Sequence, residues 1–155
     1  MPTVLDWDSY FMNISVLASK KSKDLNTQVG AVLVKDKKIV GIGYNGFPRG
    51  IDDNLFPSSR EGEWLDTKYP YVVHAEQNAL LNTTVFDITG SSLYVTLFPC
   101  NTCALSLIQK GIKDIVYLSD KHHDDDIYVA SRRLLKTAGV DTRQYTGDII
   151  VGDNN

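Results

Sequence analysis

Residues 92–111 read SLYVTLFPCNTCALSLIQKG, and the fold turns on how this stretch is parsed. Residues 92–97 read as a strand. Residues 100–110 read as a helix, and Gly111 suits the position just past its end, where a left-handed residue closes a helix. Pro99 stands at the junction, where proline is tolerated because the first helical N–H groups have no intrahelical partner. A further strand at 115–118 follows. A helix at 124–138 comes next, with acids in its first turn and Gly139 closing it. Residues 141–145 add a last strand.

Upstream, residues 74–83 read as a helix. Residues 29–34 and 39–44 form a hairpin pattern across the polar stretch 35–38. Asp6 is a good N-cap for a first helix running to about Lys20. Its stripe of Trp7, Tyr10, Phe11, Ile14, Leu17 and Ala18 is expected to pack into the core. The element order predicts an α/β fold, one mixed sheet covered by helices. At 155 residues the chain suits a single domain, with 146–155 expected as a loose tail. The connection at 46–71 is long for a compact domain, which marks it as functional or disordered.

The net charge of −3 argues against a nucleic-acid partner, which would favour a basic face. No segment is apolar enough over about 18–20 residues to span a bilayer, and residues 1–8 do not resemble a signal peptide. Both cysteines fall in one C-x-x-C, leaving none for a disulfide framework and predicting a reducing, cytoplasmic setting.

The chemistry concentrates in His74-Ala75-Glu76 and Pro99-Cys100-Asn101-Thr102-Cys103. Cys100 and Cys103 share one face of a first helical turn, whose positive end favours thiolates. His74 also opens a helix. One imidazole and two thiolates suit a single catalytic Zn²⁺, because catalytic zinc keeps three protein ligands and one open position. Glu76 is not needed as a ligand and is assigned proton transfer. H-x-E followed by P-C-x-x-C is the signature of zinc nucleobase deaminases. C-x-x-C after a strand also suits a dithiol redox protein, but that reading leaves His74 and Glu76 without a task. Another pyrimidine deaminase, a tRNA-adenosine deaminase and a noncatalytic nucleotide-binding regulator are further alternatives. His122 and His123 before Asp124, Asp125 and Asp126 could hold a second metal, although a solvated loop leading into an acid-capped helix explains them better.

Beyond the zinc signature, further stretches resemble the deoxycytidylate (dCMP) deaminases of the cytidine deaminase-like superfamily. These are Ser22-Lys23-Asp24, Gln28-Val29-Gly30-Ala31, the run from Ile39 to Gly46, Leu65-Asp66-Thr67-Lys68-Tyr69-Pro70-Tyr71, Leu97-Phe98-Pro99-Cys100 and Ser119-Asp120-Lys121. The resemblance implies a five-stranded mixed sheet sandwiched by helices and conversion of dCMP to dUMP with loss of ammonia, feeding thymidylate synthesis. It also implies a hexamer activated by dCTP and inhibited by dTTP, with Mg²⁺ accompanying the effector. Position by position, it implies zinc on His74, Cys100 and Cys103, the Ala75 and Cys100 backbones beside the base, Asn45 on the sugar hydroxyl and Phe98 against the pyrimidine. Ser22, Lys23 and Lys121 are the phosphate candidates. Gly41, Gly43, Tyr44, Asn45 and Gly46 with Arg49, Asp53 and Arg60 are the effector candidates. Gly41 and Gly43 have a second explanation, close packing of a helix on the strand.

Overall fold

The computed structural model describes residues 1–152. Its elements are α1 (Trp7–Ser19), β1 (Gly30–Lys35), β2 (Lys38–Tyr44), α2 (Ala75–Leu81), β3 (Ser92–Leu97), α3 (Asn101–Gln109), β4 (Asp114–Ser119), α4 (Asp126–Thr137) and β5 (Asp141–Gln144). Two single 3₁₀ turns, Asp53–Leu55 and Trp64–Asp66, punctuate the long connection. The strands form one sheet in the order β2-β1-β3-β4-β5. β1 runs antiparallel to β2 and β3, while β3, β4 and β5 are parallel. The mixed sheet expected from the element order is present.

Pairing of Lys35 with Lys38 leaves a two-residue loop, Asp36-Lys37, with φ of 52° and 61°. Positive φ at both positions is the I′ geometry whose twist matches that of the flanking strands.

Pleating divides the core. Ala31, Leu33, Leu93, Val95 and Ile115 face Ala75 and Ala79 of α2, Leu107 of α3 and Leu135 of α4. The alternate residues Val32, Val34, Tyr94 and Val116 face Phe11 and Met12 of α1, with Tyr145 beside them. The crossovers between the parallel strands place α3 and α4 on one face, and α2 packs there too. Helices therefore cover both faces, and the two that carry the candidate metal ligands lie together.

The expectation for the α1 stripe holds at Phe11 and at Ile14, which packs beside it, and is corrected elsewhere. Trp7, Tyr10 and Leu17 are about half exposed, whereas Phe11, Met12, Asn13, Ser15, Val16 and Ser19 are buried. Small residues set this face. A Cβ on Gly30 would lie 1.9 Å from the Ser15 carbonyl oxygen, so the helix backbone approaches β1 too closely for wide side chains between them. Ser15 Oγ donates to the Tyr94 carbonyl across the same contact (3.0 Å). The rings of Trp7 and Tyr10 are pushed to the margin.

Gly41 and Gly43 are explained by α2. A Cβ on Gly41 would lie 2.5 Å from the Ala79 carbonyl, and one on Gly43 would lie 2.3 Å from Ala79 N and 2.4 Å from Ala75 O. Helix backbone fills the space that an effector was expected to use, so packing wins at both positions. The loose-tail expectation is corrected as far as Ile150. Asn13 Nδ2 donates to the Asp148 carbonyl (3.1 Å), and the Ile150 N–H donates to Asn13 Oδ1 (2.7 Å). Residues 153–155 of that stretch lie outside the described residues.

Asp8 ties α1 to the sheet. It accepts from the Tyr94 hydroxyl (2.6 Å) and from the Arg143 guanidinium of β5 (2.9 Å for Nη2). The hydrogen bond from Arg143 holds the Asp8 carboxyl below its usual range, against the cost of burial and with help from Tyr94. A carboxyl depressed in the folded state stabilises above its unfolded pKa, about 3.9, and that contribution is lost as pH falls through the folded value. Thermal unfolding between about pH 5 and pH 2.5 is expected to show a fall in stability toward acid that is smaller in Asp8→Asn. Equal slopes for the two proteins would show that this ion pair does not carry the pH dependence.

Candidate active site

His74 and Cys100 occupy equivalent places in the chain. Each is the N-cap of a helix, in extended backbone conformation, and neither side chain caps its helix. The usual N-cap residues are Ser, Thr, Asp and Asn, whose oxygens bind the first free N–H groups. Here the side chains turn away from that task and toward each other. His74 Nδ1 lies 3.4 Å from Cys100 Sγ and 3.3 Å from Cys103 Sγ. All three donor atoms fall within 4.8 Å of one another, and both cysteines are free thiols.

The expected helix starts each shift by one residue, because His74 and Cys100 cap α2 and α3 rather than open them. Cys103 comes from the first turn of α3, three residues after its cap, so both sulfurs still point to one side. α2 is set by β2 and α3. Asn78 and Asn82 donate to the Tyr44 and Ile42 carbonyls (2.7 and 3.1 Å), and Gln77 donates to Ser106 Oγ (2.8 Å). A two-way bridge between Gly46 and Val73 fixes the chain entering His74.

The electrostatics suit a soft divalent cation. Cys100 is pulled down to about 3 by the hydrogen bond from Cys103, with further help from His74 and Thr102 and against burial. The Cys103 thiol is pushed up, as the donor in that pair and by burial. Contact with Cys100 raises His74, and burial opposes that rise. For tetrahedral zinc with ordinary Zn–S and Zn–N bonds, the S···N edge is about 3.6 Å, close to the edges seen here. Two sulfurs and one imidazole nitrogen on a buried wall fit zinc. Among the described residues, this is the one cluster of such donors that could hold a metal; the His122–Asp126 stretch forms none.

Glu76 is buried, at 4% exposure. Burial pushes its carboxyl up, and the neighbouring His74 opposes this. It lines a cavity of about 160 Å³ together with His74, Ala75, Cys100, Asn45 and Phe98. The Asn45 amide is anchored at both ends, Oδ1 accepting from the Val29 N–H and Nδ2 donating to the Thr27 carbonyl (2.9 Å each). A second amide hydrogen and a second lone pair remain for a ligand. Phe98 is held edge-on by Tyr117 (4.9 Å between centroids) and covered by the Arg132 guanidinium at 4.4 Å. Arg132 also pairs with Asp120, which fixes the loop that carries His122.

The phosphate and effector candidates separate. Ser22 is buried, and its hydroxyl donates to the Asn45 carbonyl, so it supports Asn45 from outside the cavity. Lys23 is exposed and pairs with Asp53 (2.7 Å), away from the cavity wall. Lys121 donates to Oγ1 of Thr27 (3.3 Å), a residue of the wall, but does not itself line the cavity. Tyr44 and Arg49 are exposed and do not line the cavity, nor do Gly46 and Asp53. Arg60, expected at the effector site, instead lines the cavity.

Sequence reading missed Asp24, Lys68, Tyr69, His122 and Tyr128, which also line it. Lys68 and Asp24 form a nearly buried ion pair (2.6 Å), and the His122 and Tyr128 rings lie 5.6 Å apart. Lys68 and Tyr69 lie inside the 65–71 run that carried the resemblance, so that run was the available signal. Tyr128 had none, since it looks like any aromatic on an amphipathic helix.

Comparison with known proteins agrees with this geometry. Residues 5–119 match the family model of the cytidine and deoxycytidylate deaminase zinc-binding region. A deoxycytidylate deaminase of Mus musculus is 52% identical over 144 residues, 92% of this chain and 81% of that protein. One of Homo sapiens is 52% identical over 143 residues, 91% of this chain and 80% of that one. The crystal structure of a dCMP deaminase from the cyanophage S-TIM5, in complex with dCMP and dUMP, has a TM-score of 0.75 and 29% identity, covering 93% of this chain and all of that one. The chain therefore belongs to the dCMP deaminase family of the cytidine deaminase-like superfamily, hydrolases that act on C–N bonds.

Proposed function

We propose that the protein is a zinc-dependent deaminase converting dCMP and water to dUMP and ammonia. The observation that carries this reading is the convergence of His74 Nδ1 with both cysteine sulfurs, where His74 and Cys100 line a cavity in which Glu76 is buried. The family and the relatives named for dCMP supply the substrate. His74, Cys100 and Cys103 hold the zinc. The ion supplies a Lewis acid that brings water into its ionising range near neutral pH. Glu76 carries the protons: its carboxylate takes one from water and gives it to the ring nitrogen, then takes the second from the hydroxyl now on the ring carbon and delivers it to the departing amine, leaving the C=O of dUMP. Its burial raises its proton affinity, which suits a group that must both accept and donate. Phe98 presents an apolar face to the pyrimidine, and the free capacity of the Asn45 amide meets a sugar hydroxyl.

The reading extends to regulation by dCTP and dTTP with Mg²⁺ and to a hexamer, both supported by the resemblance alone. With Gly41 and Gly43 closed by α2, an effector site would draw on Tyr44, Gly46, Arg49 and Asp53. A cytoplasmic setting is proposed on the two free cysteines, and no helix among the described residues is long and apolar enough to cross a membrane.

Purified protein is expected to hold about one zinc per chain and to release ammonia from dCMP, a rate that dCTP raises and dTTP lowers. Formation of a Cys100–Cys103 disulfide in air by a zinc-free, inactive protein would favour the redox reading. A hyperbolic rate curve unmoved by either triphosphate would remove the regulatory part alone.

A further inference from the structure

We propose that Arg60 is the specificity residue that selects a nucleoside monophosphate over the free nucleoside, by binding the 5′-phosphate at the mouth of the cavity. This rests on the reading of dCMP as substrate. The depth of the cavity is graded: Glu76 is buried at its base, and Arg60 is exposed at its rim. A base held beside Glu76 therefore sends its sugar and phosphate outward, toward Arg60.

Charge selects Arg60 from the other cations on the wall. Lys68 is committed, its Nζ 2.6 Å from Asp24 with only 12% of its side chain exposed. Asp24 in turn accepts from the Asn26 and Thr27 N–H groups, so that pair is locked into the wall and brings no net charge. His74 is a metal ligand in the reading above. Arg60 has no carboxylate partner and no hydrogen bond among the described residues. It is the one permanently charged group on the wall whose charge is not already compensated. A phosphate dianion needs such a group, and a guanidinium can bind two of its oxygens at once.

Position supports the assignment. The backbone beside Arg60 is tied to the wall, because the Lys68 N–H donates to the Ser59 carbonyl (2.9 Å) and Ser59 Oγ accepts from the Glu61 N–H (3.0 Å). The segment that delivers Arg60 is thus a fixed part of the pocket. It belongs to the long connection that the sequence assigned to an effector, so part of that connection reads the substrate instead.

The test compares kcat/KM for dCMP and for deoxycytidine in the zinc-loaded full chain and in Arg60→Ala and Arg60→Lys. Arg60→Ala is expected to lose about 10- to 100-fold on dCMP, mainly through KM, and so to narrow the ratio of kcat/KM for dCMP to that for deoxycytidine by about the same factor. Arg60→Lys is expected to fall between, since it keeps the charge but not the two-point contact. Zinc content and Tm equal to wild type report that the variant is folded. A wild-type enzyme that prefers dCMP, together with an Arg60→Ala variant that keeps that preference, overturns the role of Arg60. A wild-type enzyme that does not prefer dCMP overturns the substrate reading itself.

Discussion

Replacing Glu76 with alanine is expected to lower dCMP turnover by about 10²–10⁴-fold while leaving about one zinc per chain. The separation of the two readouts follows from position. Glu76 is two residues from His74 but contributes no donor to the three-atom cluster. Its carboxyl is buried and lines the cavity beside His74 and Cys100. Removing it leaves the cation's ligands in place and strands the protons that must reach the ring nitrogen and the amine. Metal analysis beside steady-state kinetics checks this. A variant with full zinc and near-normal turnover would remove Glu76 from the chemistry. A variant that loses zinc and turnover together would make it a structural support of the metal site.

Adding one methyl group at Gly43 is expected to be nearly as damaging, through the fold. The new Cβ would meet Ala79 N and Ala75 O at 2.3 and 2.4 Å. Both are backbone atoms, so no side chain can swing away, and α2 must move off the sheet. Overpacking of this kind costs about 1–3 kcal/mol, and the upper end is expected where the obstacle is backbone. For a chain of this length that corresponds to a fall in Tm of about 5–10 °C. Because α2 begins at His74, the shift also displaces a metal ligand, and zinc content should drop with stability. Gly46→Ala is the contrast: no atom lies within 4 Å of the place its methyl group would take, and its φ is not in the left-handed region, so its Tm should stay close to that of wild type. Equal Tm for Gly43→Ala and wild type would mean that α2 is not clamped by this contact.

The two glycines show where sequence reading reaches its limit. A glycine in a strand marks a close approach, and that much was legible at Gly41 and Gly43. Whether the approaching group is a ligand or another backbone is not encoded locally, since both need the same missing side chain. The α1 stripe was legible only in part for a related reason: Phe11 and Ile14 pack into the core, while Trp7, Tyr10 and Leu17 do not. Helical spacing identifies an apolar face, but the separation of helix and sheet is set by Gly30, Ser15 and Ser19, which spacing alone does not single out.

The sequence by itself determined the element order, the mixed sheet and the metal donors. Periodicity and cap residues are local properties, and H-x-E with P-C-x-x-C names its donors whatever lies between them. Only the tertiary structure decided which cations face the cavity. Lys23 and Arg60 are both polar-loop residues with no local distinction, yet one is drawn out to Asp53 while the other is carried onto the cavity wall. That difference depends on how the chain between Gly46 and Val73 folds back, through pairings between residues far apart in sequence, such as Lys68 with Asp24. No local pattern records those pairings, because each forms only once the sheet has brought its partners together.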